Sequence, residues 1–208
     1  EGAGRGVAMG YWINAGMQSS ATLNVVADGH VSILTGSPDI GGSRASMALM
    51  ASEVLGVPFE QIHPQVAATD AVGHTDLTGG SRTTLATGQA VIQAAEECVA
   101  EMCRRAAAEW EVEPGVVTWS QGAAHYGDQS LTFEDLAGRA GAMGGPLTFS
   151  TSLTSTSTSP GFGVHICDAE VDKETGRTTI TRYTAIQDAG KAIHPDYVEG
   201  QMQGGAVQ

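Results

Sequence analysis

Glycine in this chain gathers in three short segments beside stretches of helical periodicity, and that placement limits what the chain can fold into. The segments are Asp39-Ile-Gly-Gly-Ser-Arg44, Gly79-Gly-Ser-Arg-Thr83 and Gly200-Gln-Met-Gln-Gly-Gly205. With 28 glycines in 208 residues, about twice the usual ~7% share, the clusters stand out against a high background. Glycine lets a backbone approach a ligand closely, and the free N–H groups of a helix start favour an anion. Arg44 and Arg82 stand at two of these junctions and offer forked donors. The pattern points to a bound phosphate or pyrophosphate; taken one at a time, each loop reads better as an ordinary turn or cap, and only the three together bring the two readings level. None is a P-loop, since no Gly-Lys-Ser/Thr follows, and none is a G-x-G-x-x-G.

Charge and composition exclude several classes. Ten basic residues against 23 acidic ones give a net charge of -13, which argues against nucleic acid or an anionic membrane as partner. Hydrophobic residues at 41% support a sizeable core, and no apolar run approaches the roughly 18 residues of a membrane span. Three cysteines, with only Cys98 and Cys103 close in sequence, do not make a disulfide framework, a zinc finger or a four-cysteine iron–sulfur site. A soluble protein of a reducing, cytoplasmic compartment is expected. The chain opens at Glu1 without an initiator Met and stops at Gln208, which reads as a piece of something longer.

The pattern along the chain predicts an α+β fold, two layers with mixed sheets built from β-hairpin and helix units. Ala21 to Val26 and His30 to Thr35 form a hairpin about Asp28-Gly29. A helix follows from Ser43, read as its N-cap, to Leu55, with Met47, Met50, Ala51 and Val54 as the apolar stripe and Gly56 as the stop. A strand near 62–67 leads to a loop over 69–82. The longest helix is expected from Thr83 to Trp110, its stripe Val91, Ala95, Cys98, Met102 and Ala106, with Glu101 and Arg105 paired on the polar side. Short strands at 116–119 and 123–126 and a helix over 133–143 come next. The Ser/Thr-rich run 148–159 suits either a linker or an exposed edge strand, and an internal boundary is placed near 148–161. Strands at 162–172 and 177–187 close on Lys173-Glu-Thr-Gly176, and a last helix starts at Pro195.

On that last helix Gln201, Gly204, Gly205 and Gln208 share a face, beside an apolar face of Val198, Met202 and Ala206. Two amides with bare backbone between them can accept a flat, hydrogen-bond-rich group; close helix packing is the other use of such a face. His165 and Cys167 share a strand face without a matching pair of metal ligands elsewhere. Asp39 and Asp188 read as turn and cap residues. No catalytic constellation is visible.

These segments also carry a family likeness. Gly4-Arg-Gly-Val-Ala-Met-Gly-Tyr-Trp12, Gly36-Ser-Pro-Asp-Ile-Gly-Gly42, Gly79-Gly-Ser-Arg-Thr-Thr84 with Thr87-Gly-Gln-Ala90, and Phe162-Gly-Val-His-Ile-Cys-Asp-Ala-Glu-Val171 are four of the matching stretches. The fifth runs from Gln187-Asp-Ala-Gly190 through His194-Pro195 to Gly200-Gln-Met-Gln-Gly-Gly-Ala-Val-Gln208. Together they resemble the molybdopterin-binding large subunit of the xanthine dehydrogenase/aldehyde oxidase family, which includes carbon monoxide dehydrogenases and isoquinoline oxidoreductases. Residues 1–208 would be part of the second cofactor-binding half.

The resemblance implies that Ile40, Gly41 and Gly42 face a molybdenum–molybdopterin cofactor, in some members the cytosine dinucleotide form. Gly80, Ser81, Arg82 and Thr83 would meet its phosphate-bearing portion, and Gln201 would bond it from the last helix. Such enzymes hydroxylate a carbon of an aldehyde, N-heterocycle or CO-type small molecule with oxygen from water, and pass electrons to iron–sulfur clusters and FAD on other subunits or domains. Two departures matter. Where many members have Asp-x-Gly-Gln-Gly, this chain has Asp39-Ile-Gly-Gly-Ser43, so Gly42 replaces a glutamine. The family's catalytic glutamate would fall beyond Gln208, so the chain alone is expected not to turn over substrate. The rival expectation is a non-catalytic binding or assembly module that kept the fold and lost the chemistry; a phosphate-ligand enzyme unrelated to molybdenum rests on the loops alone. Exposed cofactor-facing surfaces make self-association as a homo-oligomer an expectation too.

Overall fold

Alternation and helical spacing set most of the elements seen in a computed structural model, which describes residues 2–14 and 16–208. In chain order the strands are β1 (Ala3–Trp12), β2 (Met17–Val25), β3 (Val31–Thr35), β4 (Ile62–Val66), β5 (Thr118–Ser120), β6 (Ala123–Tyr126), β7 (Gln129–Thr132), β8 (Leu147–Ser155), β9 (Gly161–Val171) and β10 (Thr178–Asp188). The α-helices are α1 (Ser43–Leu55), α2 (Gly88–Glu109), α3 (Phe133–Gly138) and α4 (Pro195–Val207). Two units form, Ala15–Ser157 and Glu1–Asn14 with Thr158–Gln208. The fold is α+β with mixed and antiparallel sheets.

The larger unit rests on a sheet of order β4-β3-β2-β8. β2 runs antiparallel to β3 and β8, while β3 and β4 are parallel and joined through α1. The hairpin is where the sequence puts it, with Gly29 at φ 86° in the turn. Every second residue faces inward: Ala21 and Leu23, Val31 and Ile33, Leu147 and Thr151 are buried. The Ser/Thr run supplies β8, an edge strand and not a linker over Leu147–Ser155, because threonine packs well on a half-buried pleat.

Two helices cover this sheet. In α2 the stripe Val91, Ala95, Cys98, Met102 and Ala106 is fully buried, and a side chain the size of Val or Met contributes roughly 1.5–3 kcal/mol there. Burial pushes the Cys98 thiol up to about 12, so it packs as a small apolar group and is not a nucleophile. α1 approaches α2 closely because Gly88 has no side chain; a Cβ there would lie 2.6 Å from the Met50 sulfur. Gly56 ends α1 at φ 73°, its N–H donating to the Ser52 carbonyl. The N-cap is Gly42 and not Ser43, since Gly42 is the residue with non-helical angles.

The meander β5-β6-β7 and α3 pack against the same helices. Trp119 Nε1 donates to the Leu55 carbonyl at 3.0 Å, and Thr132 and Asp135 form a capping box at α3. The helix expected over 133–143 stops at Gly138, where the chain turns back over α2. That turn buries Arg105, which the spacing had placed on a polar face: its Nη1 donates to the Gly145 carbonyl at 2.8 Å and its Nε to Glu101 at 2.7 Å.

In the smaller unit β9 and β10 form the expected hairpin, and β1 pairs along β9 from Ala3–Glu170 to Trp12–Gly161. β1 is not anticipated from the sequence, because Gly4, Gly6, Ala8 and Gly10 alternate with Arg5, Val7, Met9 and Tyr11. That is a small/large rhythm, not an apolar/polar one. Arg5 grips Asp168 on β9 with two bonds of 2.6 and 2.8 Å. Pro195 occupies the first turn of α4. No helix among the described residues is long and apolar enough to cross a membrane.

Glu101 holds Arg105, which reaches from α2 to the turn above it, and so sets an acid limit. Hydrogen bonds from Arg104 first, then Arg105, outweigh burial and lower its pKa from 4.5 to about 2. A depressed carboxylate stabilises the fold fully above its ordinary value and loses that contribution as pH falls toward the folded one. Wild-type stability is therefore expected to fall between about pH 4.5 and 2. Glu101→Gln should cost about 2 kcal/mol at neutral pH and flatten that acid limb, read from urea midpoints at stepped pH.

Candidate functional site

Parallel neighbours release their loops at the same sheet end, and in open sheets that end is where ligands gather. The first loop leaves β3 at Gly36, and the second leaves β4 at Ala67. Their bases touch. A Cβ on Gly36 would meet Thr75 at 3.5 Å, and Ser37 Oγ lies 2.8 Å from Thr87 Oγ1 at the start of the long helix. Both loops belong to the larger unit, so Ile40, Gly41 and Gly42 share a sheet end with Gly80, Ser81, Arg82 and Thr83.

The two loops use one backbone device. Gly41 and Gly42 have φ of 64° and 79° before α1; Gly80 and Ser81 have φ of 68° and 57° before the second helix. Paired left-handed residues feeding a helix turn successive N–H groups toward one side, an arrangement that holds anions. Glycine carries this without strain at three of the four positions; Ser81 is the exception. The second helix opens as a π turn, Thr83–Thr87, before α2, where the sequence suggests a regular start. Thr87 Oγ1 is shared there between Ser37 and Ser19, and such turns are frequent at functional sites.

Their electrostatics differ. At α1 the chain supplies its own anion: Asp39 accepts from the Arg44 backbone N–H at 3.0 Å and from Arg44 Nε at 2.6 Å. The backbone bond first, then the guanidinium, hold this carboxyl below the usual range against the opposing effect of burial. Asp39 is thus the cap the sequence suggests, and Arg44 answers it instead of extending a fork to a ligand. The second helix start has no side-chain cap and no acidic residue in its first turn. Thr78 Oγ1 and Thr83 Oγ1, which flank the Gly79-Gly80-Ser81 turn, are buried without a hydrogen-bond partner. Arg82 lies inside, fully buried, and donates to protein oxygens. At the tips, Ile40 and Leu77 are 62% and 68% exposed, so apolar surface borders the polar turn.

Gln201 belongs to the smaller unit, exposed on α4 with Gly204, Gly205 and Gln208 on the same face. A Cβ on Gly204 or Gly205 would meet nothing within 4 Å, so no neighbour among the described residues requires those glycines. On β9, His165 Nδ1 lies 2.6 Å from the Tyr183 hydroxyl. The described residues contain no cluster of three or more metal-ligating side chains. Thr78, with its orphaned buried hydroxyl, is the candidate that spacing did not single out; its position just before a glycine pair was the available signal.

Asp39→Ala should remove the α1 cap, at a cost of about 1 kcal/mol, seen as a drop of roughly 2–4 °C in Tm. The cap's contribution is present above the ordinary Asp range and fades as pH falls through the depressed value, so wild type and variant should converge in acid.

Comparison with known proteins matches the whole chain to one family. A family model described as a molybdopterin cofactor-binding domain covers residues 1–208. The chain is 31% identical over 194 residues to xanthine dehydrogenase of Drosophila subobscura, covering 92% of this chain and 14% of that protein. It is 28% identical over 207 residues to the carbon monoxide dehydrogenase large chain of Hydrogenophaga pseudoflava, covering 94% of this chain and 26% of that one. A crystal structure of a Cu,Mo-CO dehydrogenase in its carbon monoxide reduced state superposes with a TM-score of 0.90 at 25% identity, over 98% of this chain and 28% of the other. The chain therefore spans a seventh to about a quarter of the relatives it matches.

Proposed function

We propose, from the premise that this chain belongs to the molybdopterin cofactor-binding domain family, that it is the part of a molybdenum hydroxylase large subunit that holds the pterin cofactor. The observation that carries this reading is the turn at Thr78–Thr83: an uncapped helix start, two left-handed residues, and two orphaned buried hydroxyls. Those groups fit a phosphate-bearing, hydrogen-bond-rich ligand such as molybdopterin.

On this proposal Gly80, Ser81, Thr83 and Thr78 hold the anionic portion through backbone N–H groups and hydroxyls. The α1 N-terminus already carries Asp39, so Ile40, Gly41 and Gly42 meet an uncharged portion, where close backbone approach and the Ile40 side chain suit a flat ring. Gln201 offers its amide from α4. When bound, the cofactor supplies the metal centre at which a carbon of a small aldehyde, heterocyclic or CO-type molecule is hydroxylated with oxygen from water. This chain's residues bind and orient the cofactor; the electron acceptors of the proposal, iron–sulfur clusters and FAD, sit on other domains or subunits. A cytoplasmic setting accords with three free cysteines.

A second reading, a binding module without chemistry of its own, is favoured by Gly42. Its φ of 79° suits glycine, where many members carry a glutamine.

Molybdenum by elemental mass spectrometry and the fluorescent oxidation product of molybdopterin, both on the purified chain, test the proposal. Stoichiometric pterin supports it, and no uptake from excess molybdopterin overturns it. Thr83→Val sharpens the test. Replacing an orphaned buried hydroxyl by a methyl should raise the stability of the cofactor-free chain by about 1–3 kcal/mol, while cofactor affinity falls about tenfold. Unchanged affinity would remove Thr83 from the site.

A further inference from the structure

β2 outruns its partner. Its pairing with β3 ends at Ala21–Thr35, and Met17–Ser20 would present a bare edge on that side. The second loop closes it. The Gln18 N–H donates to Asp76 Oδ2 at 2.7 Å, and the Asp76 N–H donates to the Gln18 carbonyl at 3.1 Å. The Ser20 N–H donates to Thr75 Oγ1 at 3.2 Å, and Ser20 Oγ donates to the Gly73 carbonyl at 2.6 Å.

Arg82 completes the seam from behind. It is the largest fully buried side chain among the described residues. Its Nε donates to the Gly16 carbonyl at 2.9 Å, and its Nη1 to the Asp76 carbonyl at 3.0 Å and the Leu77 carbonyl at 3.5 Å. Its Nη2 donates to the Gln18 carbonyl and to Ser19 Oγ. These acceptors are uncharged oxygens, and all three nitrogens are engaged. Burial lowers the guanidinium pKa, with the charge of Asp76 opposing, and an arginine stays protonated regardless. One planar fork thus ties the start of β2, the middle of the loop and the helix start that carries it. The four residues between its anchors, 78–81, hold the left-handed pair and one orphaned hydroxyl; Thr83 follows directly with the other.

We infer that Arg82 is a positioning residue: it fixes the Thr78–Thr83 turn in its binding shape through Gly16, Gln18, Ser19, Asp76 and Leu77, and does not itself touch the bound group. The binding half of this inference rests on assigning the turn to the molybdopterin cofactor. A lysine at 82 keeps the charge but brings three donors on a flexible stem, and cannot span these acceptors.

The test uses the full chain as wild type, Arg82→Lys and Arg82→Gln. Amide hydrogen exchange is measured without cofactor, and molybdopterin binding at low and high salt. Arg82→Lys should speed exchange across 78–83 about tenfold, leave the centre of α2 protected, weaken binding about tenfold, and leave the salt dependence of binding as in wild type. If neither variant frees the loop, the inference is overturned. It is overturned equally if Arg82→Lys binds like wild type while Arg82→Gln loses both affinity and salt dependence, since the guanidinium would then be a charge partner of the ligand. Should either variant fail to fold, Ser19→Ala removes one acceptor and leaves the guanidinium in place; a rise of about threefold in exchange over 78–83 is then expected, and none overturns the inference. Wild type that binds no molybdopterin, with exchange still responding to Arg82→Lys, overturns the cofactor assignment and supports the positioning of the loop.

Discussion

Two parallel strands side by side force the chain to leave the sheet twice at the same end, and the rest of the site depends on that constraint. β3 and β4 can be parallel only because α1 carries the chain back across the sheet. Once that crossover exists, the glycine loop after β3 and the longer loop after β4 emerge as neighbours. The contact of Gly36 with Thr75 and the Ser37–Thr87 hydrogen bond follow from this topology. The long helix then packs on α1 at Gly88, which settles where the second loop's helix begins.

An acidic chain has few cations to offer an anionic ligand, and this one spends most of them on itself. Arg5, Arg44, Arg104, Arg105 and Arg139 each meet a carboxylate, and Arg82 is buried among carbonyls and a hydroxyl. On the proposed function the attraction comes from backbone dipoles at close range, which need no side-chain charge. That division of labour explains why glycine and not lysine clusters where a ligand is expected.

Much of this was legible in the residues. The α2 stripe is readable because five apolar residues keep helical spacing, and the β2–β3 hairpin because Asp28-Gly29 sits between alternating runs. β1 was not, since its alternation is between small and large side chains and its pairing with β9 spans most of the chain. Nor was the seam between β2 and the second loop, whose bonds join residues more than fifty positions apart. The glycine positions named the loops; they could not say that Arg82 faces inward or that Asp39 turns back onto its own helix. Local patterns report local geometry, whereas Arg82 is settled by backbone carbonyls more than sixty positions away.

The difference between the two loops is the more informative for that reason. Both have a left-handed pair and a helix behind it, so backbone geometry alone would make them equivalent anion sites. Asp39 breaks the equivalence by placing a carboxylate at α1, where a second anion would meet like charge at close range. At the other helix start two hydroxyls lie buried without partners, a cost of about 1–3 kcal/mol each that a folded protein seldom carries without use. A ligand with one charged end and one neutral, planar end would satisfy both loops at once, with its charged end at Gly80 and Ser81. On the proposed function, the asymmetry therefore orients the bound group as well as placing it, and it does so from the chain's own carboxylate.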